Sequence, residues 1–430
     1  MVKFISIITV NYNGKKFLKD FLNSTLSLDY PKDKYEVILV DNASIDGSVA
    51  YVKQYFPQVT ILESKTNLGF GAGNNLGIKN AKGDLFFLVN NDTVLDKSVL
   101  REAVSCFSNW SKKKKIGAVN TKLVLFDNYL SFVLEGATYI KYQVSKNTMP
   151  KNKKHYVVIH GRGRQPREEI YIPINHNCKD DLSIGISVRK TGGNYFKLFL
   201  NSALIAEEQF SKSEELKKLT INLTSNQLKN SKIDLIQNAG SILFRDGFSR
   251  DRGAEIINYT QYYEPDKGQY DKEEQTPLFC GAGVFLNKKA LQEVGLFDER
   301  FFMYYEDSDL SLRLKRAGWE ILYCPKAVVR HIHAGTSKEW SPFFIFNVEK
   351  NRLLFVAKHW PRLFALKEWL QYLLKDTLSI PFYYFLTGQQ ETGHKRLMIR
   401  LKVNLSLILP FTTSLFKGKR LSYGQLKRLL

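Results

Sequence analysis

The stretch Asp84-Leu85-Phe86-Phe87-Leu88-Val89-Asn90-Asn91-Asp92 decides the fold class of this chain. Its apolar run has the length and composition of a parallel strand that is buried on both faces. Ligands of open α/β sheets bind just beyond the carboxyl ends of such strands, so Asn90, Asn91 and Asp92 are candidate binding residues. A carboxylate at Asp92 is well sited to hold a divalent cation against phosphate oxygens.

The segments before this stretch alternate between strand and helix patterns. Predicted strands cover 4–10, 35–40, 59–63 and 84–89, and predicted helices cover 14–28, 48–56 and 72–81. Alternation of this kind predicts an α/β fold with a parallel, doubly wound sheet and right-handed crossovers.

Each predicted strand ends in a polar cluster, and the clusters should converge on one edge of the sheet. They are Asn11-Tyr12-Asn13 after Val10, Asp41-Asn42-Ala43-Ser44, Asn67-Leu68-Gly69-Phe70-Gly71, and Asn90-Asn91-Asp92. Asn, Asp and Gly also form ordinary turns, but four clusters in register favour a binding site. A carboxylate at Asp41 can accept the N3–H of uracil or thymine, and Tyr12 can stack on a base or pack beside a ribose.

The third cluster continues through Asn74 and Asn75 as a glycine-rich turn into a helix. Its glycines allow the backbone to approach a ligand closely, and a helix N-terminus favours negative charge. The dinucleotide fingerprint GxGxxG is not matched, so this signal alone is weak.

A second acidic cluster, Tyr304-Tyr305-Glu306-Asp307-Ser308-Asp309, opens a helix predicted over 308–317. One acidic point for a metal and another for a proton suggest group transfer from a nucleotide-activated donor. Helix N-capping is the alternative explanation of Asp307 and Asp309, and the sequence alone leaves it open.

Composition sets limits on the class of protein. A chain of 430 residues is too long for one ordinary core, and 44% hydrophobic content indicates a folded protein. The net charge of +21 implies attraction to anions such as nucleotide phosphates, nucleic acid or anionic lipid. Cys106, Cys178, Cys280 and Cys324 show no CxxC spacing, which favours free thiols over disulfides or zinc.

Several ordered motifs resemble the family 2 inverting glycosyltransferases of GT-A fold, in their rhamnosyltransferase-like branch. The resemblance covers about 1–127 and 233–360. It is carried by Ile5–Asn13, Val40–Gly47, Asn67–Phe70, Asn90–Thr93, Phe279–Gly283, Val294–Glu299, Phe301–Leu310, His331–Ser337 and Asn351–Leu353.

The resemblance implies a role for individual residues. Asp41 resembles the residue that reads the pyrimidine, and Asn90-Asn91-Asp92 stands where the family carries Asp-x-Asp. Because Asn90 replaces the first acid, Asp92 is the expected direct ligand of Mn2+ or Mg2+. His333, or less favoured His331, resembles the histidine that completes the metal site.

For the reaction itself, the resemblance implies that Asp307, beside Glu306, is the general base. The macrodipole at the start of a helix is expected to keep that carboxylate ionised. If the segment after Val329 is extended, His331 and His333 point to opposite faces, so at most one is expected to bind metal.

The acceptor side is expected to involve Gly281 and Ala282 and the cationic loop Asp246–Gly253. Arg250 and Arg252 of this loop are candidates to face the diphosphate or an anionic acceptor. A solvated surface loop is the alternative.

Residues 128–232 interrupt the resemblance with short β-like runs at 169–174, 182–188, 195–200 and 219–223. Regular short strands with turn signals predict a small antiparallel sheet or β-sandwich inserted into the core. Tyr171 and Tyr195 are candidate aromatic contacts to a glycan, and a purely structural insert is the alternative.

The C-terminal part is strongly basic, with thirteen Lys or Arg against three acids from Lys358 to Leu430. Leucines at helical spacing follow Pro361, and the apolar runs at 380–386 and 405–416 are too short or too broken by proline to span a bilayer. Basic amphipathic helices favour a membrane face, and packing on the catalytic domain is the alternative.

The predicted architecture is therefore a GT-A core with a β-rich insert and a helical tail. Its predicted parts are 1–127 (nucleotide-sugar half), 128–232 (insert), 233–360 (catalytic half) and 361–430 (tail). The start MVKFISIITV has no signal-peptide pattern, so a cytoplasmic protein at the inner membrane face is expected.

The predicted function is inverting transfer from a UDP- or dTDP-sugar, such as dTDP-rhamnose, to a glycan or lipid-linked acceptor in surface polysaccharide synthesis. Alternatives are a sugar nucleotidyltransferase and a non-catalytic basic protein that binds nucleic acid or glycan. Nucleic acid is not the expected partner, because the charge lies in the tail and no recognisable module accompanies it.

Overall fold

The computed structural model describes residues 2–144, 150, 156–160, 167–191, 194–257, 260–332, 341–380, 390–416 and 420–429. The chain divides into two compact units. Unit 1 comprises Met1–Leu123, Asn238–Arg252 and Tyr270–Leu430, and unit 2 comprises Val124–Gln237 and Gly253–Gln269. The four-part division expected from the sequence stays a prediction. The predicted insert, 128–232, falls within unit 2, and the predicted tail, 361–430, falls within unit 1.

The strands and helices are numbered in chain order. The strands are β1 (Ile5–Asn11), β2 (Tyr35–Asp41), β3 (Thr60–Glu63), β4 (Leu85–Val89), β5 (Thr93–Leu95), β6 (Ile116–Leu125), β7 (Asn128–Glu135), β8 (Ala137–Val144), β9 (Tyr156–His160), β10 (Arg167–Ile174), β11 (Leu182–Lys190), β12 (Tyr195–Leu200), β13 (Ala203–Gln209), β14 (Leu216–Leu223), β15 (Lys232–Ile233), β16 (Leu235–Asn238), β17 (Ser241–Leu243), β18 (Ser249–Asp251), β19 (Ala254–Ile257), β20 (Thr260–Pro265), β21 (Glu274–Gln275), β22 (Gly283–Asn287) and β23 (Glu320–His331). The α-helices are α1 (Lys15–Leu26), α2 (Ser48–Tyr55), α3 (Gly69–Asn80), α4 (Val99–Ser111), α5 (Ser225–Ser231), α6 (Lys288–Val294), α7 (Glu306–Arg316), α8 (Pro342–His359), α9 (Arg362–Gln371), α10 (Gln390–Phe416) and α11 (Tyr423–Leu429). A π-helical turn over Tyr372–Thr377 continues α9.

The central sheet of unit 1 is parallel through its first four strands. β1 lies between β2 and β4, and β2 also pairs with β3. β22 then pairs antiparallel with β4 and β6, so a late segment of the chain closes against an early one. The predicted parallel sheet is confirmed for β1–β4, and its polar carboxyl edge belongs to β1, β2 and β4.

Alternate side chains of these strands enter two different apolar clusters, one on each face of the sheet. Ile7 and Phe87 belong to one cluster, and Ile8 and Phe86 belong to the other. The rings of Phe87 and Phe285 stack with their centroids 4.0 Å apart. Burial on both faces explains why the strands read as continuous apolar runs.

The C-terminal helices pack together inside unit 1. Val403 and Leu407 of α10 are buried in one cluster with Leu353 and Leu354 of α8. Among the described residues, no helix is long and apolar enough to cross a membrane. The apolar run 380–386 lies almost entirely outside the described residues.

Unit 2 contains two antiparallel sheets, in the strand orders β13-β12-β7-β10-β9 and β14-β11-β8, together with β19 and β20 of the large sheet. Phe132, Ile186 and Phe196 are buried in one core to which both sheets contribute. The predicted β-sandwich is therefore confirmed. The prediction that Tyr171 contacts a glycan is wrong, because this residue packs in an apolar cluster and burial raises its pKa, whereas Tyr195 is exposed.

Candidate active site

Hydrogen bonds join the ends of β1, β2 and β4 into one polar edge. Asn11 Nδ2 donates to Asp41 Oδ1 (3.1 Å) and to Ser44 Oγ (3.0 Å). Asn91 Nδ2 donates to Asn11 Oδ1 (2.7 Å), and the Ser44 N–H donates to Asp41 Oδ2 (2.9 Å). We call Asn11, Asp41, Ser44 and Asn91 the donor edge. The predicted convergence of the clusters is confirmed, although their role in binding a ligand stays a prediction.

Residues beside the donor edge form its rim. Asn13 has a left-handed backbone (φ 52°), its N–H donates to Ser44 Oγ (2.9 Å), and its Oδ1 accepts from the Ile45 N–H (2.8 Å). Tyr12 is exposed, so its ring is available to a base or ribose. Val10 is partly buried and faces Gly73 of α3, which suits a structural role.

The glycine-rich segment belongs to α3 from Gly69 onward, which corrects the predicted helix start at 72. Gly69 has φ +79°, and a Cβ there would lie 2.2 Å from Phe302 O, so a side chain is excluded. The Phe70 N–H donates to the same oxygen (2.8 Å). The close approach at Gly69 is to the protein's own backbone, and the predicted approach of this segment to a ligand stays a prediction.

Three predicted donor-binding amides hold this segment in place. Asn42 Nδ2 donates to Asn67 Oδ1 (3.2 Å) and to Gly69 O (2.9 Å). Asn74 Nδ2 donates to Phe70 O (3.0 Å). These bonds give the three side chains a structural role. Their contact with a nucleotide-sugar donor stays a prediction.

Asp92 and His331 form a pair of potential metal ligands. Asp92 Oδ1 lies 3.1 Å from His331 Nε2, and both side chains are buried. Asn90 Nδ2 lies 3.3 Å from the same nitrogen. The pairing of β5 with β23, which places His331 opposite Thr93, creates this contact.

The donor set fits a hard divalent cation. Two ligands at about 2.1 Å from one octahedral ion lie roughly 3 Å apart, as Asp92 Oδ1 and His331 Nε2 do. Carboxylate suits Mn2+ and Mg2+, whereas imidazole is typical of transition-metal sites, so this pair fits Mn2+ better than Mg2+. His333, the histidine favoured from the sequence, lies outside the described residues.

The start of α7 is an unusual turn, formed by Tyr304, Tyr305, Glu306 and Asp307, which we call the catalytic turn. Tyr304 and Tyr305 both have left-handed backbones, with φ 71° and 72°. Bulky residues rarely adopt this conformation, so surrounding contacts must hold it. Asn351 of α8 supplies two of them, because its Nδ2 donates to Met303 O and Tyr304 O, each at 2.9 Å.

Asp307 is oriented by backbone donors on both oxygens. Its Oδ2 accepts from the Gly281 N–H (3.1 Å), and its Oδ1 accepts from the Ser308 N–H (2.7 Å). Burial raises the pKa of Asp307 although these hydrogen bonds lower it. The expectation that the helix terminus keeps this carboxylate ionised stays a prediction. The loss of solvent outweighs the hydrogen bonds, and a raised pKa makes the carboxylate a stronger base.

Glu306 differs from its neighbour. It is buried, and its Oε2 has no hydrogen-bond partner among the described residues. Burial, with the charge of Asp307 adding to it, raises the pKa of Glu306 well above its usual range. Burial therefore favours the protonated form of Glu306, and its part in the reaction stays a prediction.

One dipeptide contacts both halves of the site. The Gly281 N–H donates to Asp307, and Ala282 O accepts from the Asn90 N–H (3.3 Å). Asp307 and the Asn90–Asp92 segment are thus held against adjacent residues of one loop. Only the fold reveals this link, because the segments lie far apart in the sequence.

The cationic loop contributes a residue that sequence reasoning missed. Asp251 Oδ1 accepts from Asn238 Nδ2 (2.7 Å). Burial raises the pKa of Asp251 to about 6, and the charge of Asp307 acts in the same direction. No sequence pattern distinguishes this acid from its neighbours. Arg250 is exposed, whereas Arg252 pairs with Glu274 (2.7 Å) and so already has a structural partner.

Asp309 has the structural role that the sequence analysis left open. It binds Lys358 Nζ (2.6 Å) and His359 Nε2 (2.8 Å) of α8 and Arg313 Nε (2.8 Å) of its own helix. Burial alone would raise the pKa of Asp309, but His359 and the neighbouring cations hold it well below its usual range. These ion pairs fasten α7 to α8.

A separate group of potential metal ligands lies away from these residues. Donor atoms of Cys106, Glu273 and Cys324 lie within 4.8 Å of one another, and all four cysteines are free thiols. Structural zinc takes four ligands, so the described residues leave this set incomplete.

A parallel sheet with an acid-imidazole pair beyond β4 and a carboxylate opening α7 defines a transferase of the GT-A class. Residues 6–110 match the family model "Glycosyl transferase family 2", and residues 216–347 match "Glycosyltransferase like family 2". Together these matches cover more than half of the chain. The chain belongs to glycosyltransferase family 2, as its motifs indicated.

Curated relatives match over shorter stretches. Poly(ribitol-phosphate) beta-N-acetylglucosaminyltransferase TarS of Staphylococcus aureus is 33% identical over 108 residues, which cover 24% of this chain and 19% of the relative. N-acetylglucosaminyl-diphospho-decaprenol L-rhamnosyltransferase of Mycobacterium tuberculosis is 38% identical over 85 residues, or 20% and 28% of the two chains. The chain therefore spans well under half the length of these relatives.

Two solved structures are similar in part. Staphylococcus aureus TarS in complex with UDP-GlcNAc is 27% identical, covering 28% of this chain and 34% of that chain, with a TM-score of 0.26. Mannosyltransferase PcManGT from Pyrobaculum calidifontis, in complex with GDP-Man and Mn2+, is 14% identical, covering 100% and 85%, with a TM-score of 0.43.

Proposed function

We propose that this protein is an inverting glycosyltransferase that moves a sugar from a nucleotide-diphospho-sugar to a hydroxyl group of an acceptor. The observation that carries the proposal is the Gly281–Ala282 dipeptide. It holds the Asp307 carboxylate through one residue and the Asn90–Asp92 segment through the next. Membership of glycosyltransferase family 2 supports the same reaction class.

For the donor, we propose a UDP- or dTDP-sugar, with dTDP-rhamnose among the candidates. Asp41 is a buried carboxylate fixed by Asn11 and Ser44, so its free lone pairs are pre-oriented to accept the N3–H of a pyrimidine. Exposed Tyr12 offers a stacking surface beside it. Relatives named for N-acetylglucosaminyl and L-rhamnosyl transfer support a sugar of this general kind.

The reaction is a single displacement. The acceptor oxygen forms a bond to the anomeric carbon, and the bond from that carbon to the diphosphate oxygen breaks. Attack from the face opposite the leaving group inverts the anomeric centre. Asp307 takes the proton of the acceptor hydroxyl, and the nucleoside diphosphate leaves with the bonding electrons.

Asp92 and His331 would hold Mn2+ or Mg2+. A bound cation neutralises the charge that develops on the departing diphosphate. Asn90, which replaces an acid, lies close enough to His331 to fix the imidazole by a hydrogen bond.

The acceptor is proposed to be a glycan or lipid-linked glycan of a cell-surface polysaccharide, at the inner face of a membrane. The relatives named for poly(ribitol-phosphate) and diphospho-decaprenol acceptors support this choice. The residues proposed to contact the acceptor are Gly281, whose N–H donates to Asp307, the adjacent Ala282, and Asp251, whose pKa is influenced by the charge of Asp307.

The test is a screen of UDP-, dTDP- and GDP-sugars with Mn2+ or with EDTA, read by thermal shift and by nucleotide release. A cognate donor at about 100 times its Kd should stabilise the fold by about 2.7 kcal/mol, and only with the metal present. Equal stabilisation by a nucleoside triphosphate with a sugar phosphate would instead favour a nucleotidyltransferase. Absence of any nucleotide effect would overturn the proposal.

A further inference from the structure

The C-terminal helices carry a row of leucines that none of the described residues covers. Leu363, Leu366, Leu370, Leu374 and Leu378 follow one another at intervals of three or four along α9 and its π-helical continuation. All five are exposed, and Leu363 and Leu374 retain 79% and 60% of their accessible surface. Exposed leucines at this spacing form one apolar stripe along a helix.

A second stripe runs along α10. Leu405, Ile408, Leu409 and Phe416 are exposed, with Leu409 at 71% and Phe416 at 69%. Val403 and Leu407, on the other face of the same helix, are fully buried. The helix is therefore apolar on both sides, although only one side packs on protein.

The two helices that carry the stripes lie next to each other. The rings of Trp369 and Phe411 are 5.4 Å apart, and Arg362 Nε donates to Leu415 O (3.2 Å). Farther along, Asn404 Nδ2 donates to Thr377 Oγ1 (3.2 Å). The helices are therefore antiparallel neighbours, and helix geometry directs both stripes away from the faces that pack in the core.

Charge around the stripes has one sign. Arg362, Lys367, Lys375, Lys395, Arg396 and Lys402 are exposed cations of this helix pair. Its described acids are less exposed, and Glu368 is paired with Arg352 (3.3 Å). Among the described residues of the pair, every exposed charged side chain is therefore cationic.

The acceptor side of the site adjoins these helices. The guanidinium group of Arg245 lies 5.6 Å from the Phe364 ring of α9, and Trp360 Nε1 donates to Arg245 O (2.7 Å). Arg245 belongs to the β17–β18 hairpin, which exposes Phe244 and Phe248 and ends at Asp251. Apolar surface thus continues from α9 to the hairpin that leads to the active site.

We propose that the two stripes form a platform that inserts shallowly into an anionic lipid bilayer, with the β17–β18 hairpin facing the same surface. Apolar side chains enter the interface while the surrounding cations contact lipid headgroups. The proposal deepens the proposed membrane location of the enzyme. It brings a lipid-linked acceptor to the Asp251 and Asp307 side of the site.

Charge complementarity favours a membrane over a second copy of the chain. A symmetric dimer through this face would bring the same cations of both copies together, and like charges at an interface oppose association. An anionic bilayer offers an apolar interior to the stripes and negative headgroups to the cations. Apolar insertion also implies binding that high salt weakens but does not abolish.

The experiment compares full-length variants by sedimentation with vesicles of phosphatidylglycerol mixed with phosphatidylcholine, and with phosphatidylcholine alone. The platform variant is Leu370→Ser/Leu374→Ser/Leu409→Ser. Leu204→Ser/Leu216→Ser in unit 2 is the matched control, because these leucines are similarly exposed, at 51% and 56%. A third variant, Lys367→Gln/Lys375→Gln/Lys402→Gln, tests the cations.

The platform variant should lose vesicle binding by about tenfold or more at both low and high salt, and the control should not. The cation variant should lose binding to phosphatidylglycerol vesicles chiefly at low salt. The proposal would be overturned if the platform variant sediments with vesicles as strongly as the wild type. It would also be overturned if the wild type is a dimer without lipid and the platform substitutions convert that dimer into monomers, as measured by sedimentation equilibrium. Nucleotide-dependent thermal shift, measured on the same samples, reports the donor chemistry separately, so the two proposals can fail independently.

Discussion

The donor edge and the catalytic turn both belong to unit 1, but they differ in how completely their carboxyl groups are hydrogen-bonded. At the donor edge both oxygens of Asp41 accept hydrogen bonds, from Asn11 and from Ser44. In the catalytic turn Glu306 is equally buried, yet its Oε2 has no partner among the described residues. Left-handed residues occur in both places, but the turn places two bulky tyrosines in succession in that conformation.

The contrast indicates where the protein maintains unfavourable interactions. A saturated network such as the donor edge presents a carboxylate in a fixed position without strain. The catalytic turn instead buries Glu306 and partly buries Asp307, and this loss of solvent raises the pKa of Asp307. The same burial that destabilises the turn makes its carboxylate a better proton acceptor.

The largest expected effect is that of Asp307→Asn. Loss of a general base lowers transfer by roughly 100- to 10,000-fold, while nucleotide affinity should persist. Glu306→Gln is the matched variant, since Gln resembles the protonated carboxyl, and it should affect transfer far less. Transfer rate and nucleotide binding, measured together, check both. If Glu306→Gln lowered transfer more than Asp307→Asn, Glu306 would be the general base in place of Asp307.

Removing the metal ligand should have the next largest effect. Asp92→Asn should reduce Mn2+-dependent transfer by about 100-fold, because a bound cation contributes several kcal/mol to stabilising the leaving group. Asp96→Asn, at an exposed acid nearby, is the control. Transfer that survives both EDTA and Asp92→Asn would mean that the reaction needs no metal.

Asp41→Ala probes the saturated region. Nucleotide binding should weaken by about 1.5–3 kcal/mol through loss of a charge-assisted hydrogen bond. Ser44→Ala removes a hydroxyl from the same network but spares the carboxylate, so it should weaken binding much less. Calorimetry with UDP and dTDP gives both affinities. Equal losses would mean that Asp41 acts only as scaffold.

Asn351→Ala probes the strained region. It removes the donor to two carbonyl groups of the turn, so stability should fall by about 1–3 kcal/mol and transfer should fall with it. Asn347→Ala is the control, because its one side-chain hydrogen bond among the described residues is within its own helix, to Phe343 O (2.9 Å). Chemical denaturation and transfer assays of the two variants check this. A loss of stability without any loss of transfer would mean that the Asn351 hydrogen bonds do not position the catalytic turn for the reaction.

The smallest expected effect concerns pH. The pKa of Asp251 is raised to about 6 from an ordinary value of about 4, so the native state holds this proton more tightly than the unfolded state. Wild-type stability therefore falls as pH rises through this window, and Asp251→Asn removes that fall. The variant should gain about 1–2 kcal/mol relative to wild type between pH 4 and pH 6. If the difference in stability between the variant and the wild type is constant across this range, the raised pKa does not belong to Asp251.

Much of the site could be predicted from local pattern. The ends of β1, β2 and β4 were identifiable because buried parallel strands are continuous apolar runs that stop at polar turns. Asp92 and Asp307 were identifiable by position, one after a strand and one at a helix start. The contact between His331 and Asp92 was not identifiable, because it depends on the register between β5 and β23.

The sequence by itself determined the fold class, the family and the carboxyl edge where the polar clusters meet, because strand and helix periods and turn residues act over short distances. Only the tertiary structure decided that Glu306 lacks a partner, that Asp251 lies near Asp307, that Tyr171 is buried and that the α9 leucines are exposed. Burial and hydrogen-bond partnership depend on which distant segments pack against a residue. Solvent loss at Asp307 and solvent exposure at Leu374 both follow from that packing, and no local pattern encodes either.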